Sequence, residues 1–391
     1  RDGASTSETD YQADKDSYSL VYDYNMKDNL KFNLLSSYYN SVSESSTSTS
    51  ITNFDESKIA FKPKLNYEYS KGTLTAGYDY TFNNIVRDTK LGNGAFYDIS
   101  KMTNSVFLNN RYDMNKLELI TGYRYEKSDY EMKDQKYGTK TPSDMDKTSS
   151  NSAYSMGLNY LYSDSGKLYG KFESGYTFPD PRQYINLTNG EGELNNLQDE
   201  EFMTYEIGFQ DYIINSLVKG AVYYTEKENE IRKEGSSLNA KFYNIDASKR
   251  IGGELSISQN IKKLELSESI AYIDAKVTEG TYEGKRIPYV SKITSSINAT
   301  YTFNEKVDLS GNITYRDKYY VDASNLSGLV NDKFVTDIKV NYSIDSNWKT
   351  YAGINNLFNA DYYNTINYSS GAYTYDPASE RNYFIGFNYS F

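Results

Sequence analysis

The chain has 391 residues, 16% of them aromatic, a formal net charge of −11 and a sequence pI near 4.8, with neither cysteine nor histidine. Those two absences exclude a thiol nucleophile, a histidine general base, a Ser-His-Asp triad and a Cys/His zinc site. The acidic balance argues against a nucleic-acid partner, which needs clustered Lys and Arg to neutralise phosphate.

Tyrosine dominates the aromatics, with 43 Tyr against 17 Phe and one Trp. The opening "RDGASTSETDYQADKDS" reads as a polar loop. It carries no initiator Met and no targeting segment, so the chain is expected to be a piece of a longer protein, cut on its N-terminal side. From there the pattern alternates. In "KIAFKPKLNYEY", Ile59, Phe61, Leu65, Tyr67 and Tyr69 oppose Lys58, Lys62, Lys64, Asn66 and Glu68. In "TLTAGYDYTFNN", Leu74, Ala76, Tyr78, Tyr80 and Phe82 oppose Thr75, Gly77, Asp79 and Thr81. Leu168, Phe172 and Tyr176, then Ile297, Ala299, Tyr301 and Phe303, then Ile338, Val340, Tyr342 and Ile344 repeat it. Period two means strands with one apolar and one polar face. About seventeen such segments of about 10–15 residues are expected, longer than the usual strand of about 5–6. No segment carries helical periodicity, and no run of about 18 apolar residues offers a transmembrane helix.

Connections alternate in kind. Short turns are expected near Asp28, Gly72, Asn115, Gly166, Glu305 and Ser346. Long polar loops are expected over 43–53, 86–100, 131–150, 179–199, 276–290, 321–332 and 361–380. Short turns at one edge, long loops at the other and antiparallel up-and-down strands make the layout of an all-β transmembrane barrel. One strand face then meets lipid and the other a polar lumen, which reconciles membrane insertion with a mean hydropathy of −0.74. A soluble β-sandwich or solenoid also alternates, but it leaves the strand length and the tyrosine excess unexplained, whereas aromatic girdles account for them.

Several motifs occur in a familiar order. "SGYTFPDPRQYINL" is followed by "LNNLQDEEFMTYEIGFQ" with Leu197, Glu200, Tyr205, Glu206 and Gly208, and then by Asn244, Gly253 and Glu254. Ile287 and Pro288 come next, then "AGINNLFNADYY" with Asn356, Leu357, Phe358, Asn359 and Tyr362, then Pro377, Arg381, Tyr383 and Phe391. In this order they resemble the TonB-dependent outer-membrane receptors. The prolines expected at positions 195, 199 and 291 are replaced by Asn195, Asp199 and Ser291. The resemblance implies that residues 1–391 are the C-terminal part of a barrel of about 22 strands, with the plug domain and first strands absent from this sequence. It implies active uptake of a ferric siderophore or similar chelate, with TonB engaged through the missing N-terminal region. Lipid, lipopolysaccharide and the barrel assembly machinery would be further partners. A haem or cobalamin receptor, or a passive porin- or adhesin-type barrel, is the alternative. Haem ranks lower because the loop that commonly carries a ligating His in haem receptors offers nothing better than Tyr184. No enzyme activity, cofactor or resident metal is implied.

Arg182, Tyr184, Tyr373 and Tyr375, all in long loops, are the candidate ligand-binding residues, since guanidinium and aromatic faces suit flat aromatic or carboxylate ligands. Acidic stretches at 199–201 and 226–230 read as solvated rims rather than calcium sites. Tyr383, Ile385, Phe387, Tyr389 and Phe391 alternate to the terminus and resemble the assembly signal of such barrels. With two unpaired edges, the chain alone is not expected to insert as a functional barrel.

Overall fold

The computed structural model describes residues 9–90, 94–137, 139, 144–188, 191–234, 240–326, 328–369 and 372–390. Its first strands are β1 (Asp10–Lys27), β2 (Leu30–Ser46), β3 (Ile51–Tyr69), β4 (Gly72–Thr89), β5 (Ala95–Met114), β6 (Leu117–Tyr137), β7 (Met145–Leu161) and β8 (Lys167–Thr177). Then come β9 (Ile185–Thr188), β10 (Glu191–Leu194), β11 (Glu200–Ile213), β12 (Ser216–Glu234), β13 (Lys241–Ile261), β14 (Leu264–Glu279), β15 (Ile293–Asn304) and β16 (Val307–Arg316). The last are β17 (Tyr319–Tyr320), β18 (Leu329–Val330), β19 (Lys333–Ser343), β20 (Trp348–Asn355), β21 (Tyr363–Ser369), β22 (Ala372–Pro377) and β23 (Asn382–Tyr389). Among the described residues, seventeen of these strands form one sheet, and β9/β10, β17/β18 and β21/β22 form three small hairpins. The seventeen long strands match the number expected from alternation. The hairpins, folded from loop sequence, do not announce themselves there. A single turn of 3-10 helix at Pro181–Tyr184 is the one helical element among the described residues.

The chain divides into two compact units, Arg1–Gly157 with Glu173–Phe202 and Asn229–Ile245, and Leu158–Phe172 with Met203–Glu228 and Asp246–Phe391. In the first, β1 to β6 pair antiparallel in sequence order. The register puts Tyr38 opposite Ile59, Phe32 opposite Leu65, Phe61 opposite Tyr80 and Tyr78 opposite Val106. Side chains two apart share a face, so these pairings join the apolar sets of neighbouring strands into one continuous band. Most of its large side chains, Ile59, Phe61, Leu65, Tyr67 and Val106 among them, are exposed. The opposite face is polar and knitted by hydrogen bonds such as Thr75 to Asn66 (2.8 Å) and Asn66 to Asn33 (2.5 Å).

Turns at one edge are tight. Asn115 adopts φ 57°, the left-handed conformation that Asn tolerates and two-residue hairpin turns require. Two further turns of this kind are not among those expected from the sequence. Ile214 and Asn215 (φ 48° and 64°) link β11 to β12, and Lys262 (φ 55°) lies between β13 and β14. Ile214 is an outlier, because a β-branched residue pays sterically for positive φ.

The opposite edge corrects three expectations. The segments 43–53, 86–100 and 131–150 are largely strand: β2 runs to Ser46 and β3 starts at Ile51, β4 and β5 leave 90–94, and β6 and β7 leave 138–144. Beyond the apolar band the outward face turns polar, while on β4 to β6 the inward face carries Ile85, Tyr97, Ile99, Tyr130 and Met132 among charged and polar neighbours. The period-two signal is diluted while backbone pairing continues. Thr52 and Thr89 still bond across β3 and β4 at 3.1 Å. The acidic run 226–230 likewise lies within β12.

In the second unit β13, β14, β15, β16, β19, β20 and β23 pair in order. Its loops fold on their own core of Tyr319, Val321, Val330 and Ile366. The Arg286 amide donates to Asn325 Oδ1 (2.6 Å), and Asn325 Nδ2 donates back to the Arg286 carbonyl (3.0 Å). At the terminal pair, Tyr351 faces Gly386 and Phe384 faces Gly353. Each ring lies where a Cβ on the opposite glycine would sit, at 2.3 and 2.4 Å, so a side chain there would have to displace the ring, and at Gly353 it would also meet the Ile338 carbonyl at 2.6 Å.

Candidate ligand-binding site

The segment between β8 and β11 folds inward over the outer ends of β4 to β7. "DPRQY" starts it. Asp180 caps the turn by accepting from the Arg182 amide (3.0 Å), the Gln183 side chain accepts from the Asp180 amide (2.7 Å), and Pro181 supplies the fixed φ of a first turn. The turn sends Tyr184 inward and leaves Arg182 outward. Tyr184 is wholly buried in a cluster with Ile85, Tyr97, Ile99, Tyr130, Met132, Phe178, Ile185 and Leu197. Its ring meets Tyr130 edge-on at 5.8 Å and 75°, and Lys147 Nζ lies 4.5 Å from its centroid. Lys147 also donates to the Leu197 carbonyl (2.7 Å), and Tyr130 Oη donates to the Pro179 carbonyl (3.2 Å). Lys101 Nζ sits over both Tyr130 (5.1 Å) and Phe178 (5.6 Å). Two strand lysines therefore bind the segment's aromatic rings and carbonyls.

Asparagines complete the fastening. Asn195 Nδ2 donates to the Gln183 carbonyl (2.7 Å) and to Asn186 Oδ1 (2.9 Å), which also accepts from the Phe242 amide (2.6 Å). Asn244 exchanges two bonds with the Gln198 backbone. Burial pushes the Tyr184 hydroxyl up to about 12, with the Asp199 charge adding to it. Burial likewise raises the Asp199 carboxyl, against the opposing hydrogen bond from Ser149 and the charge of Lys147.

Lower on the polar face lies a cavity of about 1130 Å³. Its wall carries Arg124, which donates to Asp79 Oδ2 (2.9 Å), Glu126 Oε2 (3.0 Å) and Ser105, and lies 5.9 Å over the Phe107 ring. The guanidinium is thus already matched by two carboxylates and offers an anionic ligand little.

Of the sequence candidates, Arg182 is half exposed and its Nε is 3.2 Å from Asp180 Oδ1, which holds the guanidinium at the segment's surface. Tyr184 has no exposed surface, so any effect it has on a ligand runs through the placement of Arg182 beside it. Tyr375, in the second unit, is exposed, its ring 4.8 Å from that of Tyr363. The side chain of Tyr373, and Phe391, lie outside the described residues. Tyr383, Ile385, Phe387 and Tyr389 share one exposed face of β23. The Asn, Leu and Ile residues of the motifs hold loops in place. Leu197 and Ile287 are core anchors. Asn356 (φ 54°) bonds both backbone groups of Ala360, and Asn359 accepts from the Arg381 amide at 2.8 Å. Lys101 and Lys147 went unnoticed because a lysine on a polar strand face reads as solvated.

A family model described as TonB dependent receptor-like, beta-barrel matches residues 1–357. Among curated proteins, the catecholate siderophore receptor Fiu of Escherichia coli strain K12 is 21% identical over 249 residues, covering 60% of this chain and 32% of Fiu. The chain thus spans about a third of the length of the curated relatives it matches. Among solved structures, the siderophore receptor PiuA from Acinetobacter baumannii superposes with a TM-score of 0.79 at 16% identity, over 98% of this chain and 65% of PiuA. The ferric yersiniabactin uptake receptor FyuA from Yersinia pestis gives 0.81 at 13% identity, over 99% of this chain and 63% of FyuA. At such identities the structural likeness speaks for the fold. The match over residues 1–357 speaks for the family: the chain belongs to the TonB-dependent receptor β-barrels, which cross the outer membrane with strands.

Proposed function

We propose that this chain belongs to an outer-membrane receptor that takes up a ferric siderophore with energy supplied through TonB. The supporting observation is the family match over residues 1–357, joined to curated relatives that are catecholate siderophore receptors. Arg182 and Tyr375 are the ligand-facing candidates, with Tyr184 positioning Arg182 from below. A planar guanidinium pairs with catecholate or carboxylate oxygens by bidentate hydrogen bonds and stacks on flat rings. The alternating aromatic residues of β23, continued to Phe391, serve as the signal read by the assembly machinery.

The test is equilibrium binding of ferric catecholate, haem and cobalamin to the full-length protein in outer membranes. Preferential binding of the ferric catecholate is expected, weakened about tenfold by Arg182→Ala, the loss of one charge-assisted contact of about 1.5 kcal/mol. Selective haem or cobalamin binding would overturn the siderophore reading. Unchanged affinity in Arg182→Ala would remove that residue from the site.

A further inference from the structure

On β14, Leu264, Leu266, Glu268, Ile270 and Tyr272 share the apolar face. The pairing of β14 with both neighbours is regular from Leu264 to Tyr272, and it places Glu268 opposite Ile257 of β13 on one side and Ile297 of β15 on the other. Ile270, Tyr272, Ile297 and Tyr301 on this face are exposed, as lipid-facing side chains are. Glu268 therefore stands within the lipid-facing band. It is five residues from the turn at Lys263, about 17 Å along the strand at about 3.4 Å per residue. With strands tilted about 45° this is about 12 Å of depth, close to the middle of an apolar band about 25 Å tall. Among the described residues of β13–β16, β19, β20 and β23, no other Asp, Glu, Lys or Arg shares this face between the turn edge and the level of Tyr272.

A carboxylate at that depth is costly on a bare lipid face, and ionisable groups inside membranes accompany a partner. Both side chains directly opposite it are isoleucines, so neither adjacent strand supplies a counter-charge. Acyl chains offer none, and headgroups begin about 12 Å away by the same geometry. The surface beside it is low. Ser295 and Ala299 flank Ile297 on β15, and Ala299 pairs with Gly311 on β16. Small side chains of this kind let another backbone approach closely in a bilayer.

We propose that Glu268, with the shallow floor formed by Ala299 and Gly311, docks a second outer-membrane polypeptide that presents a lysine or arginine at mid-bilayer. A second copy of this chain is a poorer occupant, because the same face of its described strands in this unit brings another carboxylate and no cation.

The test places a photo-crosslinking amino acid at Ala299 of the full-length receptor in its own outer membrane, with and without Glu268→Leu. Leucine suits lipid, so folding, read by heat-modifiable migration, is retained or improved. The expected result is one discrete protein adduct whose crosslinked peptide, mapped by mass spectrometry, is a membrane-embedded segment bearing Lys or Arg. That adduct falls at least tenfold in Glu268→Leu and persists in Glu268→Asp. Adducts to lipid alone, an adduct of twice the receptor's mass, or an adduct indifferent to Glu268→Leu would each overturn the proposal.

Discussion

Replacing Tyr184 by alanine should release the segment 178–199 from the sheet without unfolding the strands. The ring is completely buried, packs edge-on against Tyr130 at 5.8 Å and lies beneath Lys147 Nζ at 4.5 Å. Truncating a buried aromatic costs about 3–5 kcal/mol, including the cavity left behind. An aromatic pair accounts for about 0.5–1.5 of this beyond area burial, and a partly desolvated cation over the ring for about 1–2. The segment keeps its ties to the strands through Lys147 and the Leu197 carbonyl, Tyr130 and the Pro179 carbonyl, and Phe242 and Asn244 of β13. Because the lost contacts lie between segment and strands, the loss falls on segment opening. At the low end, opening becomes about a hundredfold more frequent, since about 1.4 kcal/mol is a factor of ten. Amide exchange of residues 178–199 in the full-length protein reads this directly, with strand amides as the internal control. Tyr184→Phe, which keeps the ring, should change exchange less than tenfold. Unchanged protection in Tyr184→Ala would refute the view that this ring anchors the segment.

Asp199 gives the docked segment a pH dependence. Its carboxyl titrates above the ordinary value because docking buries it, so the docked state holds the proton more tightly than the open one. Docking is therefore firmest below the ordinary Asp value of about 3.9 and weakens as pH rises through the raised one. Asp199→Asn should tighten docking at pH 7 and flatten the profile; identical exchange profiles for variant and parent between pH 3 and 7 would contradict this. Asn356→Ala removes the side chain that accepts from the Ala360 amide (2.7 Å) and donates to the Ala360 carbonyl (2.8 Å), at a residue with φ 54°. A loss of about 2–3 kcal/mol is expected from the stranded backbone groups, read as a lower unfolding temperature of the folded receptor.

The sheet was legible where one face is apolar. Ile59 to Tyr69 and Leu74 to Phe82 announce strand, face and neighbour at once, and six of the tight turns carry Gly, Asn or Asp. The turns at Ile214–Asn215 and Lys262–Lys263 escaped. The second carries no turn-forming residue, and in the first the one turn former, Asn215, follows a β-branched residue within an apolar run; in both, the pairing of the flanking strands imposes the conformation. The outer extensions of β2 to β7 escaped for a different reason. There the outward face is polar, and the few apolar residues of the inward face, Ile85, Tyr97, Ile99, Tyr130 and Met132, are buried by a distant segment of chain that local alternation does not reveal. In the candidate site, sequence placed Arg182 and Tyr184 in one loop but carried nothing about their directions. The Asp180 cap sets these, turning one residue out and the other into the core. Asn356 and Asn359 stood out by resemblance alone, and only their bonds to Ala360 and Arg381 show what they do.

The spreading of apolar side chains over alternate positions also matters before the protein reaches its final membrane. A protein bound for the outer membrane must first be threaded unfolded across the inner one, where a segment of about 20 contiguous apolar residues would be held back. Most large apolar side chains of the strands are separated from the next by a polar or small residue, as in "TLTAGYDYTF" or "LELSESIAY", and adjacent pairs such as Leu34 with Leu35 and Tyr38 with Tyr39 stay short. Any window long enough to span averages to a polar composition, and no helix among the described residues is long and apolar enough to cross a membrane. The greasy belt comes into being only when neighbouring strands pair in register, so the sequence is exportable as a thread and insoluble as a sheet.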